Sequence, residues 1–221
     1  MTKVRHLSLP LRIEEICNAS DTALLVYDMQ AGIQSQIKDG SKITDACAVA
    51  LRAARQAGMR VIFTRHLSSP KPWIGLTQYR TAMAWQKTDD PSVVKSWFPR
   101  NAPSTEIVPE LAPTDDELVL DKFAMSAFEG TPLTFALRDC GVVGVAIVGI
   151  ALEIGIEPTV RHATDLGFVP IVLTDACGFG SKDAGDRAIA TMQFVGEAEL
   201  IDVAAFARLL SRHNDLQGSS K

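Results

Sequence analysis

The sequence predicts an α/β fold: one doubly wound domain built on a mostly parallel six-stranded sheet with helices on both faces, a Rossmann-like three-layer arrangement. Three observations lead there. Strand-like runs alternate with helical stretches of about ten to fifteen residues, the pattern of βαβ crossovers. The strand runs are continuously apolar rather than alternating, as strands buried on both faces require. At 221 residues and 47% hydrophobic, the chain is long enough for one sizeable core.

Residues 1–20 are taken as an N-terminal extension, 21–212 as the domain and 213–221 as a flexible tail. The first strand is "TALLVYDM", an apolar run that ends in an acid. A helix follows over "SKITDACAVALRAARQAGM", with Ile43, Ala46, Ala50 and Ala54 near helical spacing and Gly58 as its stop. "RVIFT" is the second strand. His66 to Pro113 differs in kind: it is rich in proline, holds all three tryptophans and has one helical piece, "LTQYRTAMAWQ". It reads as a long excursion across one end of the sheet. Strand "ELVLDK", helix "TPLTFALRDCG" and strand "VVGVAIVGI" restore the alternation. Helix "EIGIEPTVRHATDLGF", strand "VPIVLTDA", helix "DAGDRAIATMQFVG", a short "AELID" strand and a last helix to about Arg212 complete it.

Composition narrows the ligand. The formal net charge is −4 and there is no Lys/Arg stripe, so the phosphate-neutralising footprint of a nucleic-acid binder is missing. The longest apolar run, Val142 to Ala151, is about half of what a bilayer span needs. The N-terminus lacks a signal-peptide apolar core, so a cytoplasmic protein without a membrane partner is expected. Cys17, Cys47, Cys140 and Cys177 form no C-x-x-C pair and read as reduced, mostly buried thiols. The four histidines are equally dispersed; neither a metal site nor a cofactor is expected. A small-molecule substrate is the remaining partner.

In open α/β sheets ligands bind beyond the carboxyl ends of the strands. Three strand ends stand out: Asp28, Lys122 and the turn from Gly149 to Gly155. The segments "ALLVYDMQ", "DKFAMSAFEGTPL", "VAIVGIALEIGIEPTVRHATDLGF" and "VLTDAC", in this order, resemble the isochorismatase-like hydrolase superfamily over roughly residues 20–205. The resemblance implies that Asp28 and Lys122 form an acid–base pair flanking a turn that carries a nucleophilic cysteine in the amidase relatives. Here that turn reads Ala151, Leu152, Glu153, Ile154, Gly155, and the nucleophile position holds glycine. The resemblance also implies a cis peptide at Ile150–Ala151.

From the residues alone, the turn opens a helix, so its N–H groups and the helix dipole predict an anion or oxyanion cradle over Ile150, Ala151 and Gly155. Founding isochorismatases resemble this chain in having Gly at the cysteine position, which implies vinyl-ether hydrolysis without a covalent intermediate. Hydrolysis of an amide or carbamoyl group by directly activated water is the alternative, and a ligand-binding pseudoenzyme is the other. The arginine typical of isochorismatases is replaced by Ala124, so their dicarboxylate substrate does not transfer directly; Arg65 is a candidate to supply the charge. Ile33, Arg65, His66, Trp85, Phe128 and Glu153 are candidate substrate contacts, with Trp73 and Trp85 as a candidate apolar lid. Glu153 alternatively caps its own helix. A homo-oligomer, dimer or tetramer, is expected.

Overall fold

The structure, a computed structural model, describes residues 2–4 and 7–218, with side chains described over residues 9–212. Six strands form the central sheet: β1 (Thr22–Tyr27), β2 (Arg60–His66), β3 (Leu118–Lys122), β4 (Gly144–Ile150), β5 (Val169–Gly178) and β6 (Glu199–Ile201). Their spatial order is β3-β2-β1-β4-β5-β6, and every neighbouring pair is parallel. The chain therefore reverses its winding between β1 and β4, the switch point at which open sheets bind ligands. A short antiparallel pair, Thr2–Val4 with Leu7–Leu9, precedes the sheet.

The longer helices are α1 (Gly40–Gln56), α2 (Leu76–Gln86), α3 (Leu133–Asp139), α4 (Glu157–Asp165), α5 (Lys182–Val195) and α6 (Val203–Gly218). Successive side chains of a strand point to opposite faces, so each central strand feeds two cores. Leu24, Val26, Ala146 and Val148 pack with Cys47, Ala50 and Leu51 of α1 and Phe206 of α6. Ala23, Leu25, Tyr27, Val145 and Ile147 pack with Leu137 of α3, Val160 of α4 and Met192 of α5. This is why β1 beyond Thr22 and all of β4 carry no charged residue: each is buried throughout its length.

Two elements differ from the sequence expectation. The helix expected to start at Glu153 begins instead with a π-helical turn, Leu152–Ile156, before α4 takes over. Pro158 follows that turn at the start of α4, where its ring supplies no N–H to the ladder. The last helix runs to Gly218 rather than ending near Arg212, since no Gly or Pro intervenes to stop it. Ahead of β1, Ile16 and Cys17 are buried members of the core, and Thr22 Oγ1 donates to the Ile16 carbonyl.

Gly149 is the tightest point of the sheet. It has φ 130°, and a Cβ there would collide with the backbone of Tyr27, lying 2.8 Å from its carbonyl carbon. Gly149→Ala should cost about 3 kcal/mol from overpacking plus a disfavoured φ, a fall of about 6–12 °C in melting temperature for a domain of this size. Thermal denaturation followed by circular dichroism checks it; an unchanged transition would contradict the close packing of β4 on β1.

Candidate active site

The parallel register sets His66 of β2 opposite Lys122 of β3, while β1 delivers Tyr27 and Asp28 beside them. Asp28 turns off the strand with φ 47°, a left-handed conformation that Asp tolerates better than most residues. Its amide donates to Thr64 Oγ1 at 3.2 Å, and Thr64 Oγ1 donates back to Asp28 Oδ1 at 2.7 Å. Lys122 Nζ donates to Asp28 Oδ2 at 2.7 Å, to Tyr27 Oη at 2.8 Å and to the Ala124 carbonyl at 3.1 Å. An ammonium has three donors, so all of them are committed inside the protein. Lys122 is 1% exposed and Asp28 4%, which makes this a buried ion pair held by further hydrogen bonds.

Tyr27 completes the group. Its hydroxyl accepts from Lys122 and donates to the Met125 carbonyl. Burial, reinforced by the Asp28 charge, pushes its pKa well above the ordinary phenol value, so it remains a neutral donor. His66 is held neutral in the opposite sense: burial first, then the Lys122 charge, pulls its pKa below 6.5, while Asp28 and a backbone hydrogen bond to Ala124 act the other way. His66 Nδ1 is buried without a protein partner.

Asp28 and Tyr27 line a cavity of about 300 Å³ at the switch point, at the small end of ligand sites. His66, Ile150, Ala151 and Gly155 form other parts of its wall, and Ile33 and Trp85 close its sides. A second cavity of about 300 Å³ adjoins it, sharing His66, Trp85, Trp97, Phe98 and Met125. These shared aromatics form a row: Trp85 stacks on Trp97 at 6.1 Å, Trp97 meets Phe98 edge-on, and Phe98 meets His66 at 5.9 Å. Trp97 and Phe98 escaped sequence reading because their excursion lacks periodicity; the concentration of tryptophan there was the available signal.

Several expected contacts lie elsewhere. Arg65 points away from both cavities and pairs with Asp121 at 2.8 Å, since its place in β2 sends it to the opposite face from Thr64. Phe128 is packed between Phe168 and His162 and lines neither cavity. Glu153 caps α5, not its own helix: Oε1 accepts the N–H groups of Gly180 and Ser181, both at 2.9 Å. Trp73 is 80% exposed and lines neither cavity, so it is no lid in this conformation.

The Ile150–Ala151 peptide bond is cis. In the turn itself the N–H groups of Ile154, Gly155 and Ile156 all donate to the Ala151 carbonyl, at 3.3, 3.0 and 3.1 Å. A π-helical turn gathers its donors on one acceptor and leaves those three unavailable to an anion. Neither Cys140 nor Cys177 lines either cavity. Cys177 is buried, its pKa raised well above the thiol value by desolvation, with Sγ 3.7 Å from the Ile147 carbonyl. Cys140 is an exposed residue at the end of α3. Among the described residues no three His, Cys, Asp or Glu side chains gather as metal ligands, and no helix is long and apolar enough to cross a membrane.

Solved structures share this arrangement of strands. An isochorismatase family protein from Desulfovibrio vulgaris superposes with a TM-score of 0.73 at 22% identity, covering 87% of this chain and 99% of that one. A cysteine hydrolase from Pseudomonas syringae gives 0.73 at 23% identity, covering 96% and 99%. Among curated proteins, a ureidoacrylate amidohydrolase from Serratia proteamaculans is 30% identical over 90% of this chain and 83% of its own length. An uncharacterized isochorismatase family protein from Escherichia coli is 28% identical over 78% and 87%. The model of the isochorismatase domain matches residues 22–205, from the first residue of β1 into α6, and the chain therefore belongs to the isochorismatase family of hydrolases.

Proposed function

We propose that the protein hydrolyses an amide or carbamoyl bond of a small uncharged molecule, with Asp28 activating water directly and no thiol intermediate. One observation carries this: both oxygens of the Asp28 carboxylate accept hydrogen bonds, from Thr64 and Lys122, at the wall of a cavity that, among the described residues, no Cys, Ser or Thr lines. A carboxylate held by two donors at the wall of a cavity is positioned to act on a bound water. A water bound in the cavity next to Asp28 would pass a proton to the carboxylate while its oxygen bonds to the carbonyl carbon; the C–N bond then breaks as the proton moves on to the leaving nitrogen. Lys122 holds the carboxylate in place, as a positioning residue whose donors are already used.

Vinyl-ether hydrolysis, which the glycine alone suggested, uses the same residues with the proton on Asp28 at the outset. Among the described residues no Arg or Lys side chain lines the cavity, so two substrate carboxylates would go unmatched. The amide reading agrees with the name of the Serratia relative and with a pyrazinamidase from Pyrococcus horikoshii that shares the fold. The homo-oligomer and cytoplasmic location remain parts of the proposal.

Asp28→Asn should lower turnover of a panel of uncharged amides and carbamoyl compounds by about 10² to 10⁴-fold, the range for a lost general base. It also strands a buried ammonium, at a cost of about 3–5 kcal/mol, so rates must be read below the variant's melting temperature. Thr64→Val keeps the ion pair and removes one orienting hydrogen bond; a loss of about tenfold is expected, consistent with about 1.4 kcal/mol. Near-normal rates in both variants would remove Asp28 from the mechanism.

His66 gives a pH signature. Its folded pKa lies below the unfolded value of 6.5, so the unfolded state binds the extra proton first as pH falls. Its contribution to stability is complete above about pH 6.5 and is lost as pH drops through the folded pKa. Melting curves from pH 8 to 5 should show a shallower decline for His66→Gln than for the parent. Parallel declines would mean that His66 is not the group titrating.

A further inference from the structure

Gly155 and Tyr27 exclude one another. A Cβ built on Gly155 would overlap the Tyr27 hydroxyl oxygen and lie 2.5 Å from Cζ and 2.7 Å from Cε1 of the ring. The tip of a flexible side chain would ordinarily swing aside. This one is 2% exposed, packed in the core with Leu25 and Ile147, and its hydroxyl is held at both ends by Lys122 and the Met125 carbonyl. The neighbouring β4 backbone is closed as well, because Gly149 already sits against the Tyr27 main chain. A phenol at 27 and any side chain at 155 are therefore alternatives.

We propose that Tyr27 is the positioning residue that decides which chemistry this site performs. By filling the space of a side chain at 155 it bars a nucleophile from the turn, and by accepting a hydrogen bond from Lys122 it keeps the ammonium on Asp28. The inference rests on the water-activating role given to Asp28 above. It also implies that removing the phenol opens a volume beside Lys122 in which a thiol at position 155 would be held near a positive charge, the setting that favours a reactive thiolate.

A four-protein cycle tests it, in a Cys140→Ser background that removes the exposed native thiol. The proteins are the background chain, Gly155→Cys, Tyr27→Val and the pair. Gly155→Cys alone should lower the melting temperature by 5 °C or more, on the order of the overpacking cost for a domain of this size. The pair should melt higher than Gly155→Cys alone, although Tyr27→Val by itself also destabilises; contacting residues couple in this way. In the pair, iodoacetamide should alkylate the introduced thiol about tenfold faster at pH 7 than free cysteine, and adding Lys122→Met should move the alkylation midpoint up in pH. A merely structural role for Tyr27 would not move that profile. Additive melting shifts, an insoluble pair, or a thiol that titrates like free cysteine overturns the proposal. Should Gly155→Cys alone fail to fold, Gly155→Ala gives the same cycle with a smaller probe, and additivity there overturns it equally. Turnover of Asp28→Asn separates the two ideas: coupling with Asp28 dispensable removes only the hydrolytic reading, whereas additivity with Asp28 required removes only this inference.

Discussion

A lysine ammonium placed 1% exposed in the interior is the constraint around which the site is arranged. Such a charge is tolerated only when paired and when each of its donors has an acceptor. Lys122 meets the condition with one carboxylate, one phenol and one carbonyl, drawn from Asp28, Tyr27 and Ala124. Each acceptor then constrains its own neighbourhood. Asp28 needs Thr64 on β2 for its other oxygen, Tyr27 needs room that only glycine at 155 leaves, and Ala124 and Met125 fix the course of the segment after β3. The β1–β2–β3 register follows from the same requirement, since a slip of one residue would turn Lys122 or Thr64 to the other face.

A second buried polar network ties the long excursion to this frame. Gln30 donates from Nε2 to the carbonyls of His66 and Thr105, at 3.1 and 3.2 Å, and accepts the His66 amide on Oε1. One amide side chain thus joins the segment after Asp28, the end of β2 and the far end of the excursion. With that anchor in place, Trp85, Trp97 and Phe98 form a wall of the cavity although they belong to a segment with little regular structure. The wall is apolar, which agrees with an uncharged substrate. It leaves His66 Nδ1 as a buried acceptor without a protein partner at the junction of the two cavities.

The turn at 151–156 changes how the glycine is understood. From sequence, the turn looked like a cradle that had lost its nucleophile, its N–H groups waiting for an anion. In the fold, three of those N–H groups are satisfied by the Ala151 carbonyl, and the space beside Gly155 is taken by a neutral phenol from the adjacent strand. The glycine is thus a packing partner of Tyr27 as much as a missing residue.

The sequence alone determined the strand and helix alternation, the strand ends that meet at the cavity, and the pairing of Asp28 with Lys122 through family resemblance. Continuous apolar runs and glycine or proline punctuation are local properties, and these were legible. Tyr27 was not, because an aromatic residue inside an apolar strand reads as core, and only the packing of β1 beside the 151–156 turn brings its hydroxyl to Gly155. Arg65, Phe128 and Glu153 were assigned to the substrate on proximity to strand ends; strand alternation and long-range partners place them with Asp121, Phe168 and the start of α5 instead. Where a side chain points, and which buried polar atom it must satisfy, is decided by residues tens of positions away in the chain. That information exists only once the sheet has brought them together.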